Sequence, residues 1–437
     1  MGVLPWLTRN ELVGLAVDVD RLRALTATFE REYADARAAL NLAALRDVNP
    51  HAAADIGLTI FDDWGVSPTP YTRTGLLTTQ DKYLKARTGE HPGIALVLRC
   101  RQLLKYLSTY TRKLPGLLRD GRYHPDWKYT RTISGRMAET IILLIPKHDP
   151  LAKPEGRMNR AYAIRDCFHA TEGHTLVSAD LSQIEMRVMA HESRDPLFLR
   201  NFATGVDMHA STAHHLLGAP ARKEDQDPSK HRLPAKTLNF GILMGLTEYG
   251  LLDQLHENGQ PQWIVDWPDD DGDGELELAL REQGFQSTRE FRDEWFKLYP
   301  GVADWIAARK AQAHATGYVR DLWGRRIDVS GVWSSNDRIV AEFERKAHAV
   351  PIQSGAIGIA KRWNARIYRH VIAPRIAATH RRRYCEPWNW EHDALTLEVD
   401  DRIPRTVTHE ILRLVPQDLC VPVMADASRG VRWGSLE

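Results

Sequence analysis

One short stretch, residues 177–187, constrains the fold more than any other part of the chain. It starts in an apolar, β-prone run that ends at Val177, reaches an acid at Asp180, and continues with Ile184 and Val188 at helical spacing. A carboxylate at the end of a strand is held rigidly with its oxygens facing a cleft, which suits a hard cation such as Mg²⁺. An aspartate in this position can equally cap the helix that follows. The stretch predicts strand, acid and helix, and leaves both roles of Asp180 open.

The composition limits the class of protein more than its function. The chain has 437 residues, enough for two or three domains or one multi-lobed enzyme, and a formal net charge of +1. Any nucleic-acid binding must therefore come from local basic patches. No stretch is long and apolar enough to cross a bilayer, and the first residues do not resemble a signal peptide. The widely spaced cysteines form no CxxC pair, which fits a reduced cytoplasmic protein without a zinc module.

Residues 231–250 predict an amphipathic helix with two cations, an aromatic ring and a thioether along one face. Arg232, Lys236, Phe240 and Met244 lie four residues apart and so drift slowly around one face. On a helix beside a cleft, this order could hold a triphosphate at one end and stack on a base at the other. A partly buried helix with a solvated cationic end gives the same pattern. The proline two positions after Arg232 disfavours helix at the residue before it, so Arg232 is expected where the helix begins.

A second acid lies far along the chain. Asp393 stands at a predicted turn, and residues 395–399 alternate strictly, as in a strand with one buried face. Two carboxylates can bridge a pair of divalent ions roughly 3.5–4 Å apart, one activating a hydroxyl and the other stabilising a leaving phosphate. Asp180, Asp393 and the cationic helix together indicate metal-assisted phosphoryl transfer.

Three other segments bear on the organisation of the chain. Residues 263–286 are crowded with acids, and although they match the first half of a calcium loop, leucine stands at 280 where the closing glutamate is required. We interpret them as a solvated acidic insertion. Residues 318–327 predict a hairpin-like pair of strands. Residues 337–368 predict a long helical stretch broken near Pro351.

Several motifs, in a fixed order, resemble the blocks of family A DNA polymerases, the bacterial DNA polymerase I type. Residues 178–187 resemble the first catalytic motif of that family, and His392-Asp393 resembles the second. The finger-helix motif is matched by Arg232, Lys236, Asn239-Phe240-Gly241 and Gly245. The intervening blocks are matched by residues 130–137, 165–168, 207–213, 299–301 and 344–353. The resemblance extends from about residue 11 to the C-terminus and indicates a polymerase domain, and both a small viral or plasmid-encoded enzyme and a shortened chain fit it.

The resemblance implies an α+β fold of the right-hand polymerase type, with an antiparallel-sheet palm and largely helical fingers and thumb. Because it starts near the first residue, we expect no proofreading exonuclease in this chain. The expected units are an N-terminal helical segment packing on the palm (1–70), the thumb (71–128), the first part of the palm (129–195), the fingers with the acidic insertion (196–318) and the second part of the palm (319–437).

The resemblance also implies catalytic roles. Asp180 and Asp393 are expected to bind two Mg²⁺ ions, which Mn²⁺ can replace, with the Leu181 carbonyl as a backbone ligand. Arg232 and Lys236 are expected to grip the incoming triphosphate, and Lys236 is also expected to donate a proton to pyrophosphate.

The remaining expectations concern the nucleotide and the DNA. Glu185 is expected to close the space beside the ribose 2′ position and so to discriminate against ribonucleotides. The other expected nucleotide-binding residues are Gln183, His209 at the phosphate end, Phe240 against the sugar and base, and Met244. The expected DNA contacts, several of them to minor-groove acceptors, are Arg136, Arg187, Arg345, Gln353 and His392.

The chain departs from the family pattern at three positions. Leu181 replaces a usual tyrosine, a change that is tolerable because the backbone supplies the ligand. Met244 replaces a tyrosine whose phenol normally steadies the gate glutamate, which puts base and sugar selection in question. Ala394 replaces a glutamate, so metal binding is expected to depend more heavily on Asp180 and Asp393.

The predicted function is DNA-templated DNA synthesis: primer 3′ hydroxyls are extended with deoxynucleoside triphosphates, and pyrophosphate is released. The predicted partners are primer-template DNA and nucleotides, with no membrane, a monomeric chain, and room for a separate exonuclease or processivity factor. One alternative is an enzyme like the single-subunit RNA polymerases, against which Glu185 argues. Another is a catalytically weak DNA-binding accessory protein, against which the two aspartates argue, whereas Met244 and Ala394 leave it open.

Overall fold

The fold is α+β, as predicted from the resemblance, and helices make up most of it. The computed structural model describes residues 2–69, 71–72, 75–85, 87–145, 164–226, 231–245, 288–379 and 385–436. The predicted acidic insertion at 263–286 lies outside these ranges. The α-helices are α1 (Leu4–Val13), α2 (Val19–Ala44), α3 (Ala53–Gly57), α4 (Asp81–Lys85), α5 (Pro92–Tyr106), α6 (Ile184–Ser193), α7 (Pro196–Thr204), α8 (Met208–Leu217), α9 (Leu233–Leu243), α10 (Thr288–Leu298), α11 (Pro300–Thr316), α12 (Asp337–Ile367), α13 (Ala373–Thr379) and α14 (Pro404–Arg413).

The strands form antiparallel sheets. They are β1 (Leu15–Val17), β2 (Leu118–Arg119), β3 (Arg122–Tyr123), β4 (Phe168–His169), β5 (His174–Leu181), β6 (Tyr318–Arg320), β7 (Arg326–Asp328), β8 (Cys385–Glu391), β9 (Ala394–Asp400) and β10 (Ala425–Gly430). The sheet that carries both predicted acids has the order β10-β5-β9-β8, and a smaller one has the order β2-β3-β1-β4. The predicted hairpin at 318–327 is confirmed as β6 paired with β7.

The larger sheet positions the first catalytic motif. Val177, Ala179 and Leu181 alternate along β5 and are buried in the main hydrophobic core, so Asp180 points to the opposite face. The same core takes in the inward side chains of β9 and the apolar side of α14, including Val407. Residues 177–187 therefore form strand, acid and helix as predicted, with β5 ending just before α6.

The packing of the N-terminal third of the chain does not follow the predicted domain boundary at residue 70. Helix α1 packs on β8, and Trp6 meets the ring of Trp390 edge to face with centroids 5.7 Å apart. Helix α2, by contrast, packs along α5, which belongs to the predicted thumb, and the Arg99–Glu32 ion pair at 2.9 Å joins the two helices. The core shared by these helices crosses residue 70. Among the described residues, α2 is thus part of the same packing unit as α5.

Helix α12 corrects one sequence prediction. It runs from Asp337 to Ile367 without interruption, and Pro351 lies inside it. An interior proline loses a backbone hydrogen bond and clashes with the preceding turn, at a cost of about 3 kcal/mol. Here α12 packs against both α6 and α11, and the residues around the proline, including Val350 and Ile352, are buried. Burial of the helix on several sides offsets the local cost and keeps the helix continuous.

Within the described ranges, none of the helices has the length and apolar character needed to cross a bilayer.

Candidate active site

A cleft of about 430 Å³ opens beside the end of β5 and brings most of the predicted site residues together. They come from segments far apart in the sequence, namely the loop before β4, β5, α6, α8, α9, α12, the β8–β9 turn and β10. The charged and polar residues that line it are Arg136, Asp180, Ser182, Gln183, Glu185, His209, Arg232, Lys236, Gln353, His392, Asp393 and Asp426.

The acidic side of the cleft consists of Asp180, Asp393 and Asp426. Asp180 is the seventh residue of β5, and Asp393 occupies the two-residue turn between β8 and β9, where His392 has a φ of 59°. In the sheet register Asp180 pairs with Ala394 on one flank and with Asp426 on the other. Directly paired residues share a face of a sheet, so Asp426 points to the same side as Asp180. Its carboxylate accepts a hydrogen bond from the Ser182 hydroxyl.

The donor set on the acidic side fits Mg²⁺. No group of three or more metal-ligating side chains within the described residues is close enough to form a closed cage. Mg²⁺ is commonly held by one or two carboxylates and completes its octahedron with water and substrate phosphates. Asp180 and Asp393 provide such a pair, and the Leu181 backbone borders the cleft while the Leu181 side chain is buried in the core. A tyrosine side chain at position 181 is therefore not needed for the backbone to act as a ligand.

Arg232 and Lys236 form the cationic end of the cleft. Arg232 is the N-cap residue of α9, as predicted from the following proline, and its Nη2 donates to Asp207 Oδ2 at 2.9 Å. Burial acts to raise the pKa of Asp207, but the hydrogen bonds from Arg232 and from the Ala210 amide outweigh it and leave that pKa below its usual value. Lys236 lies one turn further along, exposed, with Nζ 5.9 Å from the ring of Phe240. Both cations line the cleft.

His209 is buried beside these cations, and its hydrogen bonds define its tautomer. Burial lowers the pKa of His209 to about 4, so the ring is neutral near pH 7. Trp295 Nε1 can only donate, and it donates to Asn239 Oδ1 at 2.6 Å, so the Asn239 amide nitrogen faces His209 Nδ1 at 3.0 Å. Nδ1 is therefore the acceptor, and Nε2 carries the proton. His209 can offer a neutral hydrogen bond to a phosphate oxygen but no positive charge.

The opposite side of the cleft contains Glu185, in the first turn of α6. Its side chain is only 11% exposed, and its carboxylate accepts a hydrogen bond from Arg136 Nη2. Burial raises the pKa of Glu185, although the charge and the hydrogen bond of Arg136 act against that rise. Nearby, Gln353 of α12 donates from Nε2 to the Met244 sulfur at 2.8 Å. Gln183, at the N-cap of α6, donates to Asp207 at 3.4 Å and so connects α6 to the cationic end.

Two of the predicted DNA contacts are not in the cleft. Arg187 is 8% exposed, donates to the Ser182 and Pro422 carbonyls, and stacks over the Phe202 ring with its guanidinium carbon 4.5 Å from the centroid. These contacts use Arg187 to anchor α6 to the segment before β10, and the contact of Arg187 with DNA stays a prediction. Arg345 lines a separate cavity of about 260 Å³ near Gly245.

Sequence reasoning missed Asp426 and Asp207. Asp426 follows an apolar run, Val421 to Met424, much as Asp180 follows its own, and that similarity was the available signal. Asp207 caps α8 by accepting from the Ala210 amide, and nothing in its local pattern indicates that it also pairs with Arg232. Both roles depend on elements that only the folded chain brings into contact.

The comparisons with known proteins agree with this geometry. The model of the family described as DNA polymerase family A matches residues 19–435. The chain belongs to DNA polymerase family A. Among its relatives, DNA polymerase I of Rhizobium leguminosarum is 29% identical over 99% of this chain and 39% of the relative, and the thermostable DNA polymerase I of Thermus aquaticus is 29% identical over 99% and 47%. The chain thus spans less than half the length of these two polymerases.

A solved structure shows that the likeness to family A polymerases extends to the fold. The POL domain of Pol1 from M. smegmatis, in complex with DNA primer-template and dNTP, superimposes with a TM-score of 0.80 at 26% sequence identity. The match covers 99% of this chain and 70% of that one. The family A polymerase fold predicted from the sequence motifs is confirmed.

Proposed function

We propose that this family A chain is a DNA-templated DNA polymerase, which extends a primer 3′ hydroxyl with deoxynucleoside triphosphates and releases pyrophosphate. The observation that carries the proposal is that Asp180, Asp393, Arg232 and Lys236 line one cleft although they come from distant segments. A pair of carboxylates facing a pair of cations suits two-metal phosphoryl transfer to a triphosphate. The POL domain relative binds primer-template DNA and dNTP, and we extend those partners to this chain.

In this mechanism Asp180 and Asp393 would hold two Mg²⁺ ions, or Mn²⁺ in their place. The metal supplies charge that activates the primer hydroxyl and stabilises the leaving phosphate. Arg232 binds the triphosphate oxygens with its planar guanidinium, and Lys236 binds them as a point charge and gives a proton to the departing pyrophosphate. His209 adds its neutral Nε2–H donor at the same end.

The remaining cleft residues are proposed to bind the nucleotide and the DNA. Phe240, whose ring lies 5.4 Å from the His209 ring, would pack on the nucleotide, and Glu185 would exclude a 2′ hydroxyl. The proposed DNA contacts inside the cleft are Arg136, Gln353 and His392. Arg345, which lines a separate cavity, is also proposed to bind minor-groove acceptors of the primer and template. On this basis the β10-β5-β9-β8 sheet is the palm, α2 and α5 belong to the thumb, and α8 to α11 belong to the fingers.

Primer extension tests the proposal most directly. A labelled primer annealed to a DNA template is incubated with Mg²⁺ and either deoxynucleotides or ribonucleotides. The wild-type chain should extend it with deoxynucleotides. Asp180→Asn, which keeps the shape of the side chain, should slow single-turnover extension by at least about a thousandfold, or roughly 4 kcal/mol of transition-state stabilisation.

Asp401→Asn is the matched control because Asp401 lies at the far end of the same sheet, where it accepts from Thr175. It should extend primers like the wild type. Both variants should keep the wild-type unfolding midpoint and bind primer-template DNA in fluorescence anisotropy. No extension by the wild-type chain that nevertheless binds DNA would favour the accessory-protein alternative, and equal extension by Asp180→Asn would contradict the assigned metal site.

A further inference from the structure

The carboxylate of Glu185 requires a partner because it is buried. Its side chain is 11% exposed, and a buried charge without compensation is strongly unfavourable. Within the described part of the chain, Arg136 is the cation that pairs with it, through Nη2. The orientation of the Glu185 carboxylate at the cleft is therefore set by a residue 49 positions earlier in the sequence.

Arg136 reaches Glu185 from a tight, well-anchored turn. Gly135 has a φ of 77°, a conformation that favours glycine, and the Thr132 hydroxyl donates to the Arg136 carbonyl at 2.7 Å. Arg325 braces the same loop from outside by donating to the Ile133 carbonyl at 2.8 Å. The Arg136 side chain is 33% exposed, so it is ordered by the turn and by Glu185 while still bordering the cleft.

Helix α9 offers no alternative donor at its C-terminal end. Met244 is the C-cap residue of α9, and a thioether can accept a weak hydrogen bond but cannot donate one. Its sulfur instead accepts from Gln353 Nε2 at 2.8 Å. Met244 therefore provides no hydrogen-bond donor for a carboxylate, and the bond that Glu185 accepts comes from Arg136 in the loop before β4.

We propose that Arg136 is a positioning residue for sugar selection: it holds the Glu185 carboxylate beside the nucleotide sugar, and discrimination against ribonucleotides depends on this ion pair. The inference rests on the proposed polymerase function. Without Arg136 the buried carboxylate loses its compensating charge, and it either takes up a proton or turns toward water. Turning toward water opens the space that a ribose 2′ hydroxyl would occupy, and protonation removes the charge through which Arg136 fixes the carboxyl group in that space.

The test is a double-mutant cycle on the sugar preference. For wild type, Arg136→Met, Glu185→Ala and the double variant, kcat/KM is measured for a deoxynucleotide and for the matching ribonucleotide opposite one template base, with DNA saturating. The ratio of the two values is the readout because a general loss of DNA binding affects both sugars alike. Each single variant should lower the ratio by roughly tenfold or more, as expected for a lost charge-assisted hydrogen bond. The double variant should lower it no further than Glu185→Ala does.

Two further variants test, one at a time, how the anchoring of the loop and the positive charge at position 136 contribute to the sugar preference. Arg325→Met removes the brace on the loop but keeps both members of the Arg136–Glu185 pair, so it should lower the ratio by less than Arg136→Met does. Arg136→Lys keeps a cation and should restore part of the discrimination that Arg136→Met loses. Unfolding midpoints close to the wild-type value establish that each variant is folded.

The outcomes are distinguishable from a failure of the proposed function. If the wild-type chain extends no primer, the polymerase proposal itself fails. If it extends primers but uses both sugars equally, or if Arg136→Met discriminates as well as the wild type, the polymerase proposal stands and the inference is overturned. Additive effects of Arg136→Met and Glu185→Ala also overturn it, because Arg136 would then act on the sugar independently of Glu185.

Discussion

The two sides of the cleft present carboxylates in opposite physical states. On the acidic side, Asp180 and Asp426 are exposed and neighbour each other across two strands. On the opposite side, called the gate side after the role proposed for Glu185, that residue is buried against Arg136. Exposed carboxylates keep their hydration until an ion replaces it, whereas a buried carboxylate has exchanged water for a fixed partner during folding. The exposed carboxylates can therefore exchange water for a ligand, whereas Arg136 holds the buried carboxylate of Glu185 in one position.

The cationic end of the cleft is intermediate between the hydrated and the paired case, because Arg232 already has an ion-pair partner in Asp207. The largest effect after loss of Asp180 or Asp393 is expected there. Arg232→Met should raise the KM for the nucleotide by roughly thirtyfold or more, the loss expected for a charge-assisted bond to phosphate. Steady-state extension at varied nucleotide concentration measures it, with the exposed Arg200→Met on α7 as control. An unchanged KM would mean that Asp207 keeps Arg232 from the nucleotide.

The helix that carries Glu185 also depends on a second arginine, Arg187, for its packing. Arg187→Met should lower the free energy of unfolding by about 2–3 kcal/mol, because the carbonyls of Ser182 and Pro422 lose a buried donor. Urea unfolding at pH 7.5 measures the change, and the exposed Arg429→Met should leave stability nearly unaltered. Weaker DNA binding with unaltered unfolding would instead support the original prediction that Arg187 contacts DNA.

A smaller effect is expected from Asp426, which flanks Asp180 opposite Ala394. Asp426→Asn removes an exposed negative charge near the metal site and should raise the Mg²⁺ concentration for half-maximal extension by about two- to fivefold. A Mg²⁺ titration at saturating DNA and nucleotide measures it. Adding Ala394→Glu in the same background places a carboxylate on the other flank and should reverse the shift; no shift in the single variant would show that Asp426 does not influence the metal.

His209 should affect stability while leaving the nucleotide affinity almost independent of pH. Its pKa of about 4 in the folded chain lies below the ordinary value of 6.5, so the unfolded chain binds the extra proton. The stability that it contributes is therefore present above about pH 6.5 and is lost as the pH falls toward 4. Urea unfolding at pH 7 and pH 5 should show a smaller pH dependence for His209→Gln than for the wild type.

The same neutral ring predicts that KM for the nucleotide changes by less than about twofold between pH 6 and pH 8 on account of His209. A KM that falls sharply below pH 6.5 in the wild type, but not in His209→Gln, would show that the ring gains a charge in the cleft. His209 would then add a positive charge to the cationic end of the cleft at low pH.

The local sequence was sufficient where neighbours in the chain decide the structure. The apolar run before Asp180 and the spacing after it predicted strand, acid and helix, and the proline after Arg232 correctly predicted where α9 begins. The order of the motifs predicted the family, because each block keeps residues whose chemistry serves one cleft. These features follow from alternation, helical period and backbone restriction, which are properties of a few consecutive residues.

Tertiary structure decided what depends on burial and on partners. Pro351 predicted a break, yet α12 packs on α6 and α11 and continues through the proline. Arg187 and Arg136 look alike as cations in the sequence, but the fold buries Arg187 of α6 against Phe202 and pairs Arg136 with Glu185. Desolvation and pairing are set by residues distant in the chain, so no local pattern carries them. The sequence alone determined the family and its pair of acids, and the folded chain determined which carboxylates are exposed in the cleft and which one is buried against an arginine.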